Sequence, residues 1–199
     1  MHDHPKEPLA ALALRRGSRM SDMWIDPAED PRTYGNPVGE LATYREYLVN
    51  YRLTVEMKCG GLDAEQLARR SVPPSTMSLL GLVRHLAAVE NHWFHRVMGG
   101  HLDDPRLFRP GHDRDWDFNG AVADPAVVDE AHTTWKAEIA AADARLDELS
   151  DEDLGRELPM TDGDTVSVRD LLVHMIEEYA RHAGHADLLR ECIDGRTGQ

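Results

Sequence analysis

Residues 167–192 read SVRDLLVHMIEEYARHAGHADLLREC, a pattern that predicts one long helix. Ser167 and Asp170 match a capping box at its start, with aspartate in the place where glutamate is more usual. Within this helix Glu178 and His182 stand four residues apart, so their side chains point in the same direction, one turn apart. Such a spacing lets a single helix offer two ligands to a metal ion.

A third ligand would have to come from another helix, and His85 is the candidate because it lies inside the otherwise apolar stripe LVRHLAAVE. If the two helices pack face to face, the three groups converge. Two histidines with one carboxylate leave coordination positions open for water or substrate, which is typical of a catalytic site. The sequence therefore predicts a divalent metal held by His85, Glu178 and His182, with zinc expected and nickel, iron(II) or manganese compatible with the same ligands.

Each part of this set also has a simpler explanation. A histidine in a helix stripe is more often a hydrogen-bonded core residue than a ligand, and a Glu-x-x-x-His pair is common on solvated helix faces. The combination is more specific, because an inward carboxylate is costly unless it is paired or bound to a cation. Nearby, His174 is either a rival ligand or a hydrogen-bond partner that supports the set, and His185 either borders the pocket or is an ordinary helix-face residue. His92 and His95 are expected to lie too far along their helix to join.

Three further long helices are predicted, at about 39–58, 78–98 and 125–149. The second begins at Ser75 or Ser78 as N-cap and ends before a Gly-Gly pair, and the third begins at an Asp-Pro pair typical of a helix start. Together with the helix from residue 167, they predict an all-α four-helix bundle, whose core has room for a metal between facing helices. A long crossover loop is expected at 101–123 and a brief hairpin at 155–166.

Composition excludes several classes of protein. The chain has 199 residues, of which 41% are hydrophobic, enough for one domain at 38–195 preceded by an irregular extension at 1–37 with five prolines. A formal net charge of −14 argues against a nucleic-acid partner, and the sequence has no apolar run long enough to cross a membrane. The first residues do not resemble a secretory signal, so a cytoplasmic protein is expected. In that compartment Cys59 and Cys192 are expected to be free thiols.

Other side chains have two interpretations from sequence alone. Arg84, Arg181 and Arg190 either meet an acidic substrate or, as is more common on such acidic helices, form surface ion pairs. Trp93 and Trp135 are expected to fill the core. The order of residues shows no Ser-His-Asp or Cys-His nucleophile, so the residue pattern does not supply the attacking group.

The bundle pattern, His85, the pair Glu178 and His182, and the phrase ARHAGHADLLR at 180–190 resemble the DinB/YfiT-like metalloprotein superfamily, particularly an actinobacterial branch of DinB-like proteins. The resemblance covers residues 38–195. In that superfamily the usual triad is three histidines, and here Glu178 stands in the place of one of them. A relative in the superfamily, mycothiol-dependent maleylpyruvate isomerase, uses a His, Glu, His set.

The resemblance implies a divalent-metal bundle, often dimeric, in a superfamily where many members are thiol-dependent transferases or isomerases that use mycothiol, bacillithiol or similar thiols. The expected function is therefore transfer or isomerisation of a small electrophile with a low-molecular-weight thiol, by a homodimer. The alternative is a metal-binding stress-response protein without turnover, in which the loop at 101–123 closes the pocket.

Overall fold

The computed structural model describes Ile25, residues 28–111 and residues 113–198. Four long helices dominate it, and the predicted all-α bundle is confirmed. The elements are α1 (Glu40–Cys59), α2 (Ala64–Ala68), α3 (Leu79–Glu90), α4 (Trp116–Asn119), α5 (Pro125–Leu146), a 3-10 turn (Asp151–Gly155), β1 (Glu157–Pro159), β2 (Thr165–Ser167) and α6 (Val168–Asp194).

The periodicity predicts that helix α3 continues as a regular α-helix to residue 98, but the α-helix ends at Glu90. The next residues, Asn91–Met98, continue it as a π-helix. At the end of this segment the Gly99 N–H donates to the Phe94 carbonyl at 3.1 Å. In a π-helix the hydrogen bonds join residues five apart and not four apart, and such segments are frequent at functional sites. The apolar spacing fits a helix to residue 98 but does not distinguish the two hydrogen-bonding patterns.

Helix starts follow local sequence signals. The Ser78 hydroxyl accepts a hydrogen bond from the Gly81 N–H at 3.1 Å, which selects Ser78 over the other candidate N-cap. At the start of α6, Ser167 accepts from the Asp170 N–H at 3.1 Å. The Asp170 carboxylate meets the Ser167 hydroxyl at 3.0 Å and not its backbone N–H, so only half of the predicted capping box forms. The predicted hairpin is confirmed as an antiparallel pair of β1 and β2.

In the core, α1 packs on α6 and α3 packs on α5. Trp135 is 1% exposed, as expected for a core residue, and Trp93 is partly buried against the core. The fully buried apolar side chains come from all four long helices and include Leu48, Leu82, Leu86, Leu146, Leu171 and Met175. This shared interior holds α3 and α6 at fixed positions relative to each other.

A buried polar network also joins the four long helices. Arg52 of α1 donates to both carboxylate oxygens of Glu90 in α3, each at 2.7 Å. The Tyr179 hydroxyl of α6 donates to Glu90 at 2.7 Å and accepts from the Trp135 Nε1 of α5 at 2.8 Å. Burial and the Glu90 carboxylate raise the pKa of Tyr179 well above its ordinary value, so it stays a neutral donor. Every long helix thus contributes at least one member to a satisfied network.

Residues 28–38 form neither helix nor strand. Arg32 is buried, pairs with Asp30 at 2.7 Å and donates to Thr54 of α1 at 3.1 Å, so this segment lies along α1. Apart from Ile25, the rest of the predicted extension lies outside the described residues. The division into 1–37 and 38–195 stays a prediction.

Both cysteines are free, as expected. Cys59 is buried, and burial raises the pKa of its thiol to about 12. Among the helices that the structure describes, none is both long and apolar enough to cross a membrane.

Candidate metal centre

Helices α3 and α6 bring His85, Glu178 and His182 together. The His182 Nε2 lies 3.4 Å from the Glu178 Oε2, and the His85 Nε2 lies 3.8 Å from the same oxygen. One ligand atom from each residue falls within 4.8 Å of the others. The three side chains are 9–17% exposed, so the cluster lies near the surface of the bundle without being open to it.

The distances between the imidazole nitrogens and the Glu178 carboxylate bear on whether this cluster can bind a metal. Both imidazole–carboxylate distances are longer than an ordinary N–H···O hydrogen bond of about 2.7–3.2 Å. Two ligands of a tetrahedral zinc with bonds of about 2.1 Å lie roughly 3.4 Å apart. The His182–Glu178 separation matches this spacing and the His85–Glu178 separation is longer, at 3.8 Å, so the three residues could hold one cation.

The charges in the cluster also favour a cation. The neighbouring His182 and His85 imidazoles hold the pKa of Glu178 well below its usual range, although burial acts in the opposite direction. Burial disfavours a charged His85, but Asp117 and Glu178 outweigh this and raise its pKa. Glu178 is therefore an anion at neutral pH, and protons compete with a metal for His85.

Asp117 orients His85. Its carboxylate is 1% exposed and lies 2.8 Å from the His85 Nδ1. Because a carboxylate accepts, the Nδ1 carries the proton and the Nε2 lone pair faces Glu178 and His182. On the other side of the ring, Phe118 stacks on His85 at a centroid distance of 5.3 Å. Sequence reasoning missed Asp117, since the only signal was an aspartate between two aromatic residues in a long loop.

Arg84 fixes the short helix α4 that carries Asp117. Its guanidinium donates to the Asp117 and Trp116 carbonyls at 2.9 and 3.3 Å and lies 4.1 Å from the Phe108 ring centroid. Arg84 forms the ion pair favoured from sequence, with Glu130 at 3.8 Å, but its guanidinium is buried and not at the surface, because the loop carbonyls turn towards α3. Arg190 likewise pairs with Asp194 at 2.8 Å but is buried, and it also donates to carbonyls at the end of α1 at 2.8 Å.

Two more histidines of α6 lie beside the cluster. The His185 Nδ1 is 3.3 Å from the His182 Nδ1, and the His174 Nε2 is 3.7 Å from the Glu178 Oε1. Arg181 is half exposed and pairs with Glu177 at 2.8 Å, a surface ion pair as predicted. His185 thus borders the cluster, and His174 lies beside Glu178 beyond hydrogen-bond distance; the supporting role of His174 stays a prediction.

The remaining histidines of the α3 stripe lie elsewhere. His92 lines a recess together with His85. His95 belongs to a second group with His101 and Asp104, near the surface. The His95 Nε2 bonds the Asp104 carboxylate at 2.8 Å, and the two imidazole rings stack at 4.5 Å. Sequence reasoning did not predict this second group.

Comparison with known proteins places the fold. A family model described as mycothiol-S-transferase matches residues 43–195. A solved structure of a conserved protein from Enterococcus faecalis is similar at 18% identity and a TM-score of 0.56, covering 79% of this chain and 99% of that one. A solved mycothiol-dependent maleylpyruvate isomerase has 16% identity and a TM-score of 0.49, covering 71% of this chain and 59% of that one. Among curated proteins, none matches the sequence. Since the family model spans most of the chain, the protein belongs to the mycothiol-S-transferase family of DinB-like bundles.

Proposed function

We propose that this protein is a divalent-metal-dependent transferase or isomerase in which a low-molecular-weight thiol of the mycothiol type attacks a small electrophile. The observation that carries the proposal is the convergence of His85, Glu178 and His182 from two helices, in a chain of the mycothiol-S-transferase family. Zinc is the proposed metal, and nickel, iron(II) and manganese suit the same donors.

The three residues offer the metal different ligand atoms. His85 and His182 offer imidazole nitrogens, and Glu178 offers a carboxylate whose charge offsets part of the metal's charge. A metal held there supplies Lewis acidity, which lowers the pKa of a coordinated water or thiol. Asp117 accepts from the His85 Nδ1 and so directs the Nε2 towards Glu178 and His182, and His185 is placed to accept from the His182 Nδ1.

An external thiol suits the two cysteines that the chain contains. Cys59 is buried and has its pKa raised to about 12, so it is a poor nucleophile at neutral pH. Cys192 is exposed on α6, about 15 Å along the helix axis beyond His182. Neither thiol is positioned to attack a substrate at the cluster.

Metal analysis with matched variants tests the site. His85→Asn, Glu178→Gln and His182→Asn are each expected to lose about one metal per chain. The group of His95, His101 and Asp104 could also bind a metal, so His101→Asn is analysed in parallel as a control. This variant is expected to keep the metal at His85, Glu178 and His182. Unchanged metal content in all three cluster variants would overturn the assignment.

Activity is tested by thiol conjugation. Purified protein is mixed with mycothiol and a small electrophile, before and after removal of the metal. Turnover that disappears with the metal and returns with added zinc supports the transferase proposal.

The second candidate is a metal-binding stress-response protein without turnover. It is favoured by the tight packing of the loop at 101–123 on the cluster, where Asp117 bonds His85 and Phe118 stacks on it. Strong thermal stabilisation by metal without any thiol transfer would support this candidate over the enzyme.

We also propose that the protein is a cytoplasmic homodimer with one bundle domain at 38–195. Exposed apolar side chains on α1 and α6 support an interface: Tyr47, Val49, Val173 and Leu188. Light scattering after size-exclusion chromatography tests the dimer.

A further inference from the structure

A small recess of about 80 Å³ opens beside His85, between α3 with its π-helical end and the loop at 101–123. Arg96, Arg106 and Arg109 line it, together with His92. The described residues that line it include no carboxylate. In a chain with a formal net charge of −14, this is a local concentration of positive charge.

Arg96 is a buried residue in the wall of this recess. It is 6% exposed, its Nη2 donates to the Leu102 carbonyl, and its Nη1 lies 3.2 Å from the His92 Nδ1. Its Nε is buried and has no hydrogen-bond partner among the described residues. A buried donor without an acceptor is costly, most of all on a charged group. An anion in the recess would supply the acceptor.

Arg106 adds positive charge that no described carboxylate pairs with, and Arg109 is balanced only by a long contact with Asp117. Arg106 makes no hydrogen bond or ion pair with any residue that the structure describes, and burial together with the like charges of Arg96, Arg109 and Arg114 lowers its pKa. The Arg109 guanidinium lies 3.9 Å from the Asp117 carboxylate, which already bonds His85. Repulsion among these guanidinium groups favours a bound anion.

We propose that this recess is a carboxylate subsite, and that the electrophile therefore carries a carboxylate close to its reacting carbon. The inference rests on the proposed function. His85 lines the recess and also belongs to the metal cluster, so a carboxylate bound there places its neighbouring carbon beside the proposed reaction centre. A planar carboxylate matches the fork of a guanidinium, and the small volume suits an acid with few carbons.

The binding arm of the test does not need activity. Acetate and acetamide, which have the same shape and differ in charge, are titrated at constant ionic strength into the His182→Asn variant, so that metal ligation does not contribute. The readout is the ¹⁵N–¹H cross-peak of the Arg96 Nε. Acetate is expected to shift this peak in a saturable way, whereas acetamide is not.

Arg106→Gln is expected to weaken acetate binding about tenfold, the loss of one charge-assisted hydrogen bond. Arg106→Lys should recover part of it. Arg45→Gln is the matched control, because Arg45 of α1 pairs with Asp147, just past the end of α5, and does not line the recess. It should bind acetate like the parent, and a thermal melt checks that all variants fold.

The kinetic arm uses iodoacetate and iodoacetamide with mycothiol. In both reactions the thiol sulfur bonds the methylene carbon, the C–I bond breaks, iodide leaves with the bonding pair and the thiol proton passes to solvent. The ratio of kcat/KM for iodoacetate over iodoacetamide should fall about tenfold in Arg106→Gln and stay constant in Arg45→Gln.

The two arms separate the possible failures. Equal shifts with acetate and acetamide, or acetate binding that is unaltered in Arg106→Gln, overturn the subsite even if thiol transfer proceeds. Retained acetate binding without turnover of either reagent overturns the proposed function and the substrate assignment together, and leaves only an anion site.

Discussion

Glu90→Gln is expected to destabilise the bundle strongly, although glutamine has nearly the same shape as glutamate. The Glu90 side chain is fully buried and accepts two hydrogen bonds from Arg52 and one from Tyr179, all at 2.7 Å. Glutamine keeps one acceptor but removes the negative charge that balances Arg52. It also places an amide donor opposite groups that are themselves donors.

The magnitude follows from the environment of Arg52. Removing one partner of a buried ion pair costs about 3–5 kcal/mol, because the other charge stays buried without compensation. Asp143 also pairs with Arg52 at 2.7 Å and is 40% exposed, so part of the compensation survives. The lower end of the range, about 3 kcal/mol, is therefore expected. In a chain of this length it corresponds to a fall in Tm of about 6–12 °C.

Urea unfolding, followed by circular dichroism and by tryptophan fluorescence, measures this loss. Metal-free protein is used, since a ligand of the native state would add its own stability. Glu56→Gln is the matched control, because Glu56 is 47% exposed in its ion pair with Lys136 and should change the free energy of unfolding by less than about 1 kcal/mol. A loss in Glu90→Gln no larger than that of the control would refute the reasoning.

Three further predictions concern the surroundings of the site. Asp117→Asn should weaken zinc binding about 10–100-fold in competition with a chelating dye, because the ligand histidine loses its carboxylate partner; unchanged affinity would contradict this. Burial and nearby arginines lower the pKa of His92 to about 4, so the unfolded state takes up the proton first as pH falls below about 6.5. Stability of metal-free protein should therefore drop by about 2 kcal/mol between pH 7 and 5 from this residue, a drop that His92→Gln removes in urea titrations. In Gly81→Ala the new Cβ would lie 2.8 Å from a ring carbon of Phe118 and should cost about 1–3 kcal/mol in unfolding experiments, whereas Gly184→Ala has open space within α6 and should not destabilise.

Sequence predicts the helices well where the signals are local. Ser78, Asp124 and Ser167 each accept a hydrogen bond from the first turn of the helix that follows, as their positions in the sequence indicate. The start of α1 is different. Its first N–H groups donate to the Asp151 carboxylate at 2.8 and 3.1 Å, and that residue lies more than a hundred positions later. No local pattern reveals such a cap.

The same distinction applies to the site. The ligand spacing of Glu178 and His182 is a property of one helix, and the stripe around His85 is a property of another, so all three are visible as candidates from sequence. Asp117 reaches His85 only because the buried Arg84 draws the loop carbonyls onto α3. The arginine recess depends on the same fold of the loop, so neither feature follows from periodicity.

The candidate metal cluster and the buried network use the same two helices. His85 and Glu90 both lie on α3, and Glu178 and Tyr179 are consecutive in α6. Consecutive helical residues point about 100° apart, so α6 presents Glu178 to the cluster while Tyr179 bonds Glu90 in the interior. The network holds α3 and α6 at the separation on which the imidazole–carboxylate distances depend, since a shift of either helix would change both. The stability of the core and the geometry of the cluster are therefore coupled through these two helices, and loosening the Glu90 network should weaken metal binding without touching a ligand.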